Sequence, residues 1–196
     1  MNDTNKIENV VLTQRYIILF TSILGVVLIL LSGGLICLGQ KISLLELFIP
    51  KLNLWLELMI GIGLGLFFSV TIFFIVRRIA TFRDLFDWIV EVIFGPLNYL
   101  GIFYVSCIAG ISEELFFRGG LQPLIGIIPT SVIFGLLHMG FYKKLLPYGL
   151  YAFGLSLVFG YLFLIIGDLY ACILCHFMIN FALGVLWKGR GIENYK

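Results

Sequence analysis

Two adjacent glutamates in an apolar stretch are the residues of this sequence best suited to chemistry. Glu113 and Glu114 end a long apolar run, and Arg118 follows one helical turn later. A charge at the centre of a bilayer costs at least ~2.5–3.5 kcal/mol, so two carboxylates there need a strong reason. Glu114 and Arg118 are spaced i, i+4 with the acid first, which favours an ion pair on a helix.

Glu113 projects about 100° away from Glu114 on a helix and has no partner at helical spacing. We therefore predict that Glu114 and Arg118 hold a site together and that Glu113 works in it. The structural alternative is a charge cluster at the membrane surface, whose side chains reach out to the lipid headgroups.

The two histidines of the sequence also lie in apolar stretches. Phe134 precedes His138 by four residues, and Asn180 follows His176 by four, so each pair shares a helix face. Polar groups inside a membrane must find partners within the helix bundle. We therefore expect Glu113 to converge with both histidines and Asn180 in one polar cavity.

Such a cavity has the parts needed to hydrolyse a peptide bond. A glutamate beside an imidazole can draw a proton from water and pass it to the leaving amine. A second histidine and an amide can donate hydrogen bonds to the developing oxyanion. Alternatively, Glu113, His138 and His176 match a catalytic zinc site with three ligands and an open position. The residues leave both mechanisms open, so zinc is an alternative cofactor and the glutamate mechanism requires none.

The composition identifies the setting as a membrane. Of the 196 residues, 61% are hydrophobic and 12% are charged, whereas soluble domains carry about 25% charged residues. Continuous apolar runs without alternation predict helices rather than a barrel. We predict a polytopic integral membrane protein whose partners are the lipid bilayer and a peptide or protein substrate. The formal net charge of +2 is too small to favour nucleic acid as a partner.

The predicted fold class is all-α, a transmembrane bundle of about six spanning helices. The predicted spans are 16–38, 55–76, 97–118, 121–139, 145–166 and 169–187. Helical spacing of apolar residues among charges predicts an interfacial amphipathic helix at 77–94. Gly119 and Gly120 are predicted to turn the chain, and Glu57 to reach the membrane surface. The predicted regions are a two-span N-terminal region with the interfacial helix at 1–94, a catalytic helix bundle at 95–187 and a polar tail at 188–196.

The distribution of positive charge predicts the orientation. With six spans, most of the 13 Lys and Arg residues fall on one side. These residues are Lys6, Arg15, Arg77, Arg78, Arg83, Lys143, Lys144, Lys188, Arg190 and Lys196. Positively charged loops face the cytoplasm, so both termini are predicted to be cytoplasmic. The end of the third span that carries Glu113 would then lie towards the outside.

Three short motifs occur once each and in a fixed order. They are Glu113-Glu114-x-x-x-Arg118, Phe134-x-x-x-His138 and His176-x-x-x-Asn180. The ordered set resembles the signature of the CAAX-protease and bacteriocin-processing family, also called CPBP or Abi. The resemblance covers about residues 95–187, and the short chain is similar to bacterial members linked to bacteriocin immunity or peptide processing.

The resemblance implies an intramembrane endopeptidase and a role for each motif. Glu113 and His138 would activate the water, and His176 with Asn180 would stabilise the oxyanion. The remaining motif residues, Glu114, Arg118 and Phe134, would support the site. Members of the family have been described both as metalloproteases and as glutamate-type proteases, so the resemblance leaves the cofactor open.

Two other functions fit a membrane protein with these residues. One is a non-catalytic peptide-binding protein of the same fold, acting as an immunity or scaffold factor. A binder would not need the whole set of polar residues, so their presence favours the enzyme. The other is a small transporter or proton relay, which inverted repeats would support; the sequence shows none.

Overall fold

A computed structural model describes residues 13–40, 43–140 and 142–194. These residues are almost entirely helical and include no strand, which confirms the predicted all-α class. The α-helices are α1 (Gln14–Gly34), α2 (Leu54–Arg78), α3 (Ala80–Phe94), α4 (Tyr99–Glu114), α5 (Gln122–Ile125), α6 (Ile127–Met139), α7 (Leu146–Ile166) and α8 (Tyr170–Asn194). Leu35–Gln40 and Leu115–Leu121 are π-helical, and Leu44–Phe48 and Lys143–Leu145 form 3₁₀ turns.

Five helical stretches among the described residues are long and apolar enough to cross a membrane. They are Gln14–Gln40, Leu54–Arg78, Tyr99–Ile125, Lys143–Ile166 and Tyr170–Gly189. The sixth apolar helix, α6, has 13 residues and is about 20 Å long, shorter than the ~30 Å hydrocarbon core. The protein is therefore an integral membrane helix bundle with five long helices, and the predicted span at 121–139 is replaced by this short helix.

The third long stretch does not turn at Gly119 and Gly120, so that prediction is wrong. The helix continues through the π-helical segment and α5, and the chain turns at Gly126 instead. Gly126 has φ +87°, a conformation that glycine adopts without strain. Glu113 therefore lies near the middle of the 27-residue stretch Tyr99–Ile125 rather than at its end.

The π-helical segment Leu115–Leu121 is secured by a side chain from another element. The amide nitrogen of Gln40 donates to the carbonyl oxygens of Gly119, at 2.6 Å, and Gly120, at 3.2 Å. These bonds satisfy two of the carbonyl groups that the irregular helix presents to its neighbours.

Helix α8 packs against both α2 and α4. Gly61 of α2 lies against the backbone of Ala171, and Gly65 lies against that of Cys175, so closely that a Cβ atom at either glycine would clash. Small residues of this kind let membrane helices approach each other closely. The register shows that α2 runs parallel to α8. On the other side, α4 runs antiparallel to α8.

The helix directions gather the chain at two ends. The "α3 end" holds the starts of α1, α4 and α7, the ends of α2, α6 and α8, and α3 itself. The "turn end" holds residues 43–53, Gly126 and Gly167. The predicted amphipathic helix is present as α3, whose residues Phe86, Ile89 and Val90 are buried against the bundle. Its placement at the membrane surface remains a prediction.

The predicted polar tail is wrong at its start. Helix α8 continues beyond Trp187 to Asn194, without a break at Lys188. The ammonium group of Lys188 donates to the carbonyl oxygen of Gly95 at 3.2 Å, which links the end of α8 to the end of α3.

Candidate active site

The carboxylate of Glu114 is held by two side chains from different helices. The Nε atom of Arg118 donates to Glu114 Oε2 at 2.9 Å, the ion pair that the i, i+4 spacing predicted. Nδ1 of His176, on α8, lies 2.7 Å from Glu114 Oε1. Glu114 and Arg118 are completely buried, so each compensates the charge of the other in the middle of the bundle.

The guanidinium group of Arg118 has further partners. Its Nη2 atom donates to the hydroxyl of Ser156 on α7 at 2.9 Å. Its central carbon lies 5.6–6.0 Å from the ring centroids of Phe117, Phe134 and Phe159. Aromatic faces attract a cation at such distances. Arg118 thus joins α7 and the π-helical segment to Glu114.

His138 is oriented by its own helix. Its Nδ1 atom lies 2.9 Å from the carbonyl oxygen of Phe134, and a carbonyl can only accept, so Nδ1 carries the proton and Nε2 is free to accept. The ring of Phe134 stacks on His138 with centroids 4.2 Å apart and meets His176 edge-on at 6.2 Å. Phe134 therefore packs between the two histidines.

Glu113 lies next to the free side of His138. Its Oε2 atom is 3.9 Å from His138 Nε2, which is too long for a direct hydrogen bond. This oxygen is buried and has no hydrogen-bond partner among the described residues. The two adjacent glutamates thus differ, because Glu114 is fully engaged while Glu113 retains an unused acceptor beside an imidazole.

A cavity of about 60 Å³ opens beside the histidines, large enough for several water molecules. His138, His176 and Asn180 line it, together with apolar side chains from α3, α7 and α8. Glu113 is not among the lining residues, but its carboxylate lies beside His138, which is. The cavity extends from the histidines towards Phe94 and Leu183, in the half of the bundle nearer the α3 end.

The described residues do not form a three-ligand metal site. No three His, Cys, Asp or Glu side chains among them are grouped so that they could hold a metal ion. His138 and His176 use their Nδ1 atoms on the Phe134 carbonyl and on Glu114. In this arrangement the alternative zinc set of Glu113, His138 and His176 therefore does not fit.

Helix α7 contributes side chains that the sequence motifs did not indicate. Ser156 accepts from Arg118, Phe159 stacks on His176 with centroids 5.4 Å apart, and Tyr148 lies beside His138. The available signal was the presence of a serine and tyrosines in a very apolar span. Polar groups there face the bundle interior or the membrane surface.

Residues 95–182 match a family described as type II CAAX prenyl endopeptidase, Rce1-like. This segment is Rce1-like. The Rce1-like segment covers just under half of the chain and contains all three motifs. The match confirms the family suggested by the motifs and indicates, at the level of the family, an intramembrane CAAX-type protease.

A Bacillus subtilis protein is similar over part of the chain. YpbD, described as an uncharacterized protein, is 30% identical over 88 residues, which are 45% of this chain and 46% of YpbD. The similarity thus spans about half the length of this curated relative. No solved structure matches the chain.

Proposed function

We propose that the protein is an intramembrane endopeptidase in which Glu113 and His138 activate a water molecule. The observation that carries the proposal is the 3.9 Å separation between Glu113 Oε2 and His138 Nε2. Both atoms accept, so one water can donate a proton to each while its oxygen attacks a peptide carbonyl. The carboxylate takes the proton and delivers it to the leaving amine.

We infer that His176 and Asn180 stabilise the oxyanion of the tetrahedral intermediate. Both line the cavity that contains His138. Glu114 fixes His176 through Nδ1, as carboxylates orient imidazoles in other hydrolases. When His176 is protonated, its Nε2 can donate to the oxyanion, and Glu113, Glu114, Arg118 and His176 sum to zero formal charge.

We propose that the substrate reaches the site from the cytoplasmic side. The described positive side chains at the α3 end include Arg77, Arg78, Lys143, Lys144 and Lys188. This charge distribution favours a cytoplasmic α3 end, and the cavity lies in that half of the bundle. The central depth of Glu113 supports access from this side, although its helix runs towards the opposite face.

The test is a cleavage assay on the purified full chain with an internally quenched, farnesylated CAAX peptide. An unprenylated copy of the peptide serves as a second substrate. Glu113→Gln keeps the size of the side chain and removes the base, so cleavage should fall by at least ~10²-fold while the protein folds normally. The matched control is Asp84→Asn, an exposed carboxylate of α3, which should leave cleavage unchanged.

Three outcomes would redirect the proposal. Near-normal cleavage by Glu113→Gln would contradict both the glutamate and the zinc mechanism. Binding of the peptide without cleavage, unchanged in Glu113→Gln, would favour the peptide-binding alternative. Loss of cleavage on chelation, restored by Zn²⁺, would replace the glutamate mechanism with a metal mechanism.

The orientation has its own measurement. Reporter fusions at Gln40 and at Lys196 should report opposite sides of the membrane, with Lys196 in the cytoplasm. Both reporters on the same side would contradict the helix directions, and opposite sides with Lys196 outside would contradict cytoplasmic access.

A further inference from the structure

Tyr148 stands beside both members of the water-activating pair. Its ring centroid is 5.7 Å from that of His138, and the two planes are inclined by 58°. Its phenol group is close enough to Glu113 for their charges to interact. Tyr148 also lines the cavity with His138, so its side chain faces the space in which the proposed reaction occurs.

The hydroxyl of Tyr148 is available for such a contact. It forms no hydrogen bond with any residue that the structure describes, although most buried hydroxyl groups of proteins are paired. The ring itself is fixed, because it packs edge-on against Phe86 of α3 with centroids 5.9 Å apart. A fixed ring gives the hydroxyl a defined position at little entropic cost.

We propose that the Tyr148 hydroxyl donates a hydrogen bond that positions the attacking water between Glu113 and His138. Two acceptors hold the protons of that water, and a donor to its oxygen completes its set of partners. This role rests on the proposed peptidase function. Tyr148 is then a positioning residue, supplied by a helix that carries none of the three sequence motifs.

A purely structural tyrosine would use its ring to fill space against Phe86 and His138, and phenylalanine would serve equally well. Tyr148→Phe separates the two roles because it removes only the hydroxyl. The matched control is Tyr161→Phe, which removes the same group from an exposed residue of the same helix.

The experiment measures kcat, KM and the unfolding temperature of the full chain with the farnesylated CAAX peptide. Tyr148→Phe should lower kcat by ~10-fold or more, the effect of losing a hydrogen bond to a charged or reacting group. KM and the unfolding temperature should stay close to those of the parent. Tyr161→Phe should match the parent in all three, and 3-fluorotyrosine at position 148, which keeps a hydroxyl, should restore kcat.

Two results would overturn the inference. One is an unchanged kcat in Tyr148→Phe, whatever its KM or unfolding temperature. The other is a lowered kcat that 3-fluorotyrosine does not restore. Either result, together with loss of cleavage in Glu113→Gln, refutes the role of Tyr148 alone. Retained cleavage in Glu113→Gln refutes the peptidase mechanism itself.

Discussion

The bundle buries carboxylates in two places, and their partners differ in kind. At the turn end, Asp168 accepts from the backbone N–H groups of Lys51 and Tyr170 at 2.9 and 3.1 Å. Glu57, beside it, accepts from the backbone N–H of Leu52 at 2.6 Å. In the middle of the bundle, Glu114 is instead held by the side chains of Arg118 and His176.

The difference separates a structural use of buried charge from a chemical one. Backbone N–H groups cannot change their charge, so the carboxylates of the turn end fix the chain around Gly167 and do no more. Side-chain partners can be charged, neutral or reoriented, and they leave Glu113 with a free acceptor beside His138. Such an arrangement is typical of functional sites.

Breaking the central pair should have the largest effect. Arg118→Ala removes the counter-charge of a completely buried carboxylate and should lower the free energy of unfolding by about 3–5 kcal/mol. Thermal unfolding in detergent and the yield of folded protein measure the loss. A stable, fully active Arg118→Ala protein would remove the proposed supporting role of the pair.

Removing the imidazole beside Glu113 should affect cleavage rather than folding. His138 is partly exposed to the cavity, so His138→Ala should keep the fold and lower kcat by ~10²-fold or more. The measurement is cleavage of the farnesylated peptide by protein shown to be folded by its unfolding temperature. A kcat close to that of the parent would exclude His138 from water activation.

Breaking the turn-end cluster should do the opposite. Asp168→Ala leaves two backbone N–H groups without their acceptor and should lower the free energy of unfolding by about 1–3 kcal/mol. The kcat of the folded fraction should remain that of the parent, because Asp168 lies outside the site. A fall in kcat without a fall in stability would contradict the division between the two regions.

The smallest effect is expected at an exposed ion pair. Arg83 and Asp84 lie 3.7 Å apart on α3, with their side chains 49% and 80% exposed. Arg83→Ala should change the free energy of unfolding by no more than about 0.5 kcal/mol. It is the matched control for Arg118→Ala, and a comparable loss in both variants would show that burial does not set the effect.

Local spacing predicted the parts of this molecule that depend on one helix. The amphipathic pattern before Gly95 gave α3, and the i, i+4 rule gave the pair of Glu114 with Arg118. The contact of Glu114 with His176 joins residues 62 positions apart. It depends on the packing of α4 against α8, which no local pattern contains.

Glu57 shows the same limit in the opposite direction. A glutamate near the start of an apolar helix was expected to reach the membrane surface, and that expectation is wrong because Glu57 is completely buried. The chain at 51–52 folds back over the start of α2 and offers backbone donors to the carboxyl groups there. Glycine also misled, because Gly119 and Gly120 allow a turn but here lie within a π-helix, packed against neighbouring side chains.

The π-helical segment Leu115–Leu121 also bears on insertions and deletions. Its hydrogen bonds join residues five apart, so each such turn holds an additional residue compared with an α-helix. Deleting one residue there would restore regular α-helix and rotate everything beyond it by about 100°. Gln122 would then lose its 2.9 Å bond to the Gly160 carbonyl, and α6, with His138, would leave its place. The number of residues between Arg118 and Gln122 is therefore as tightly constrained as the identity of either.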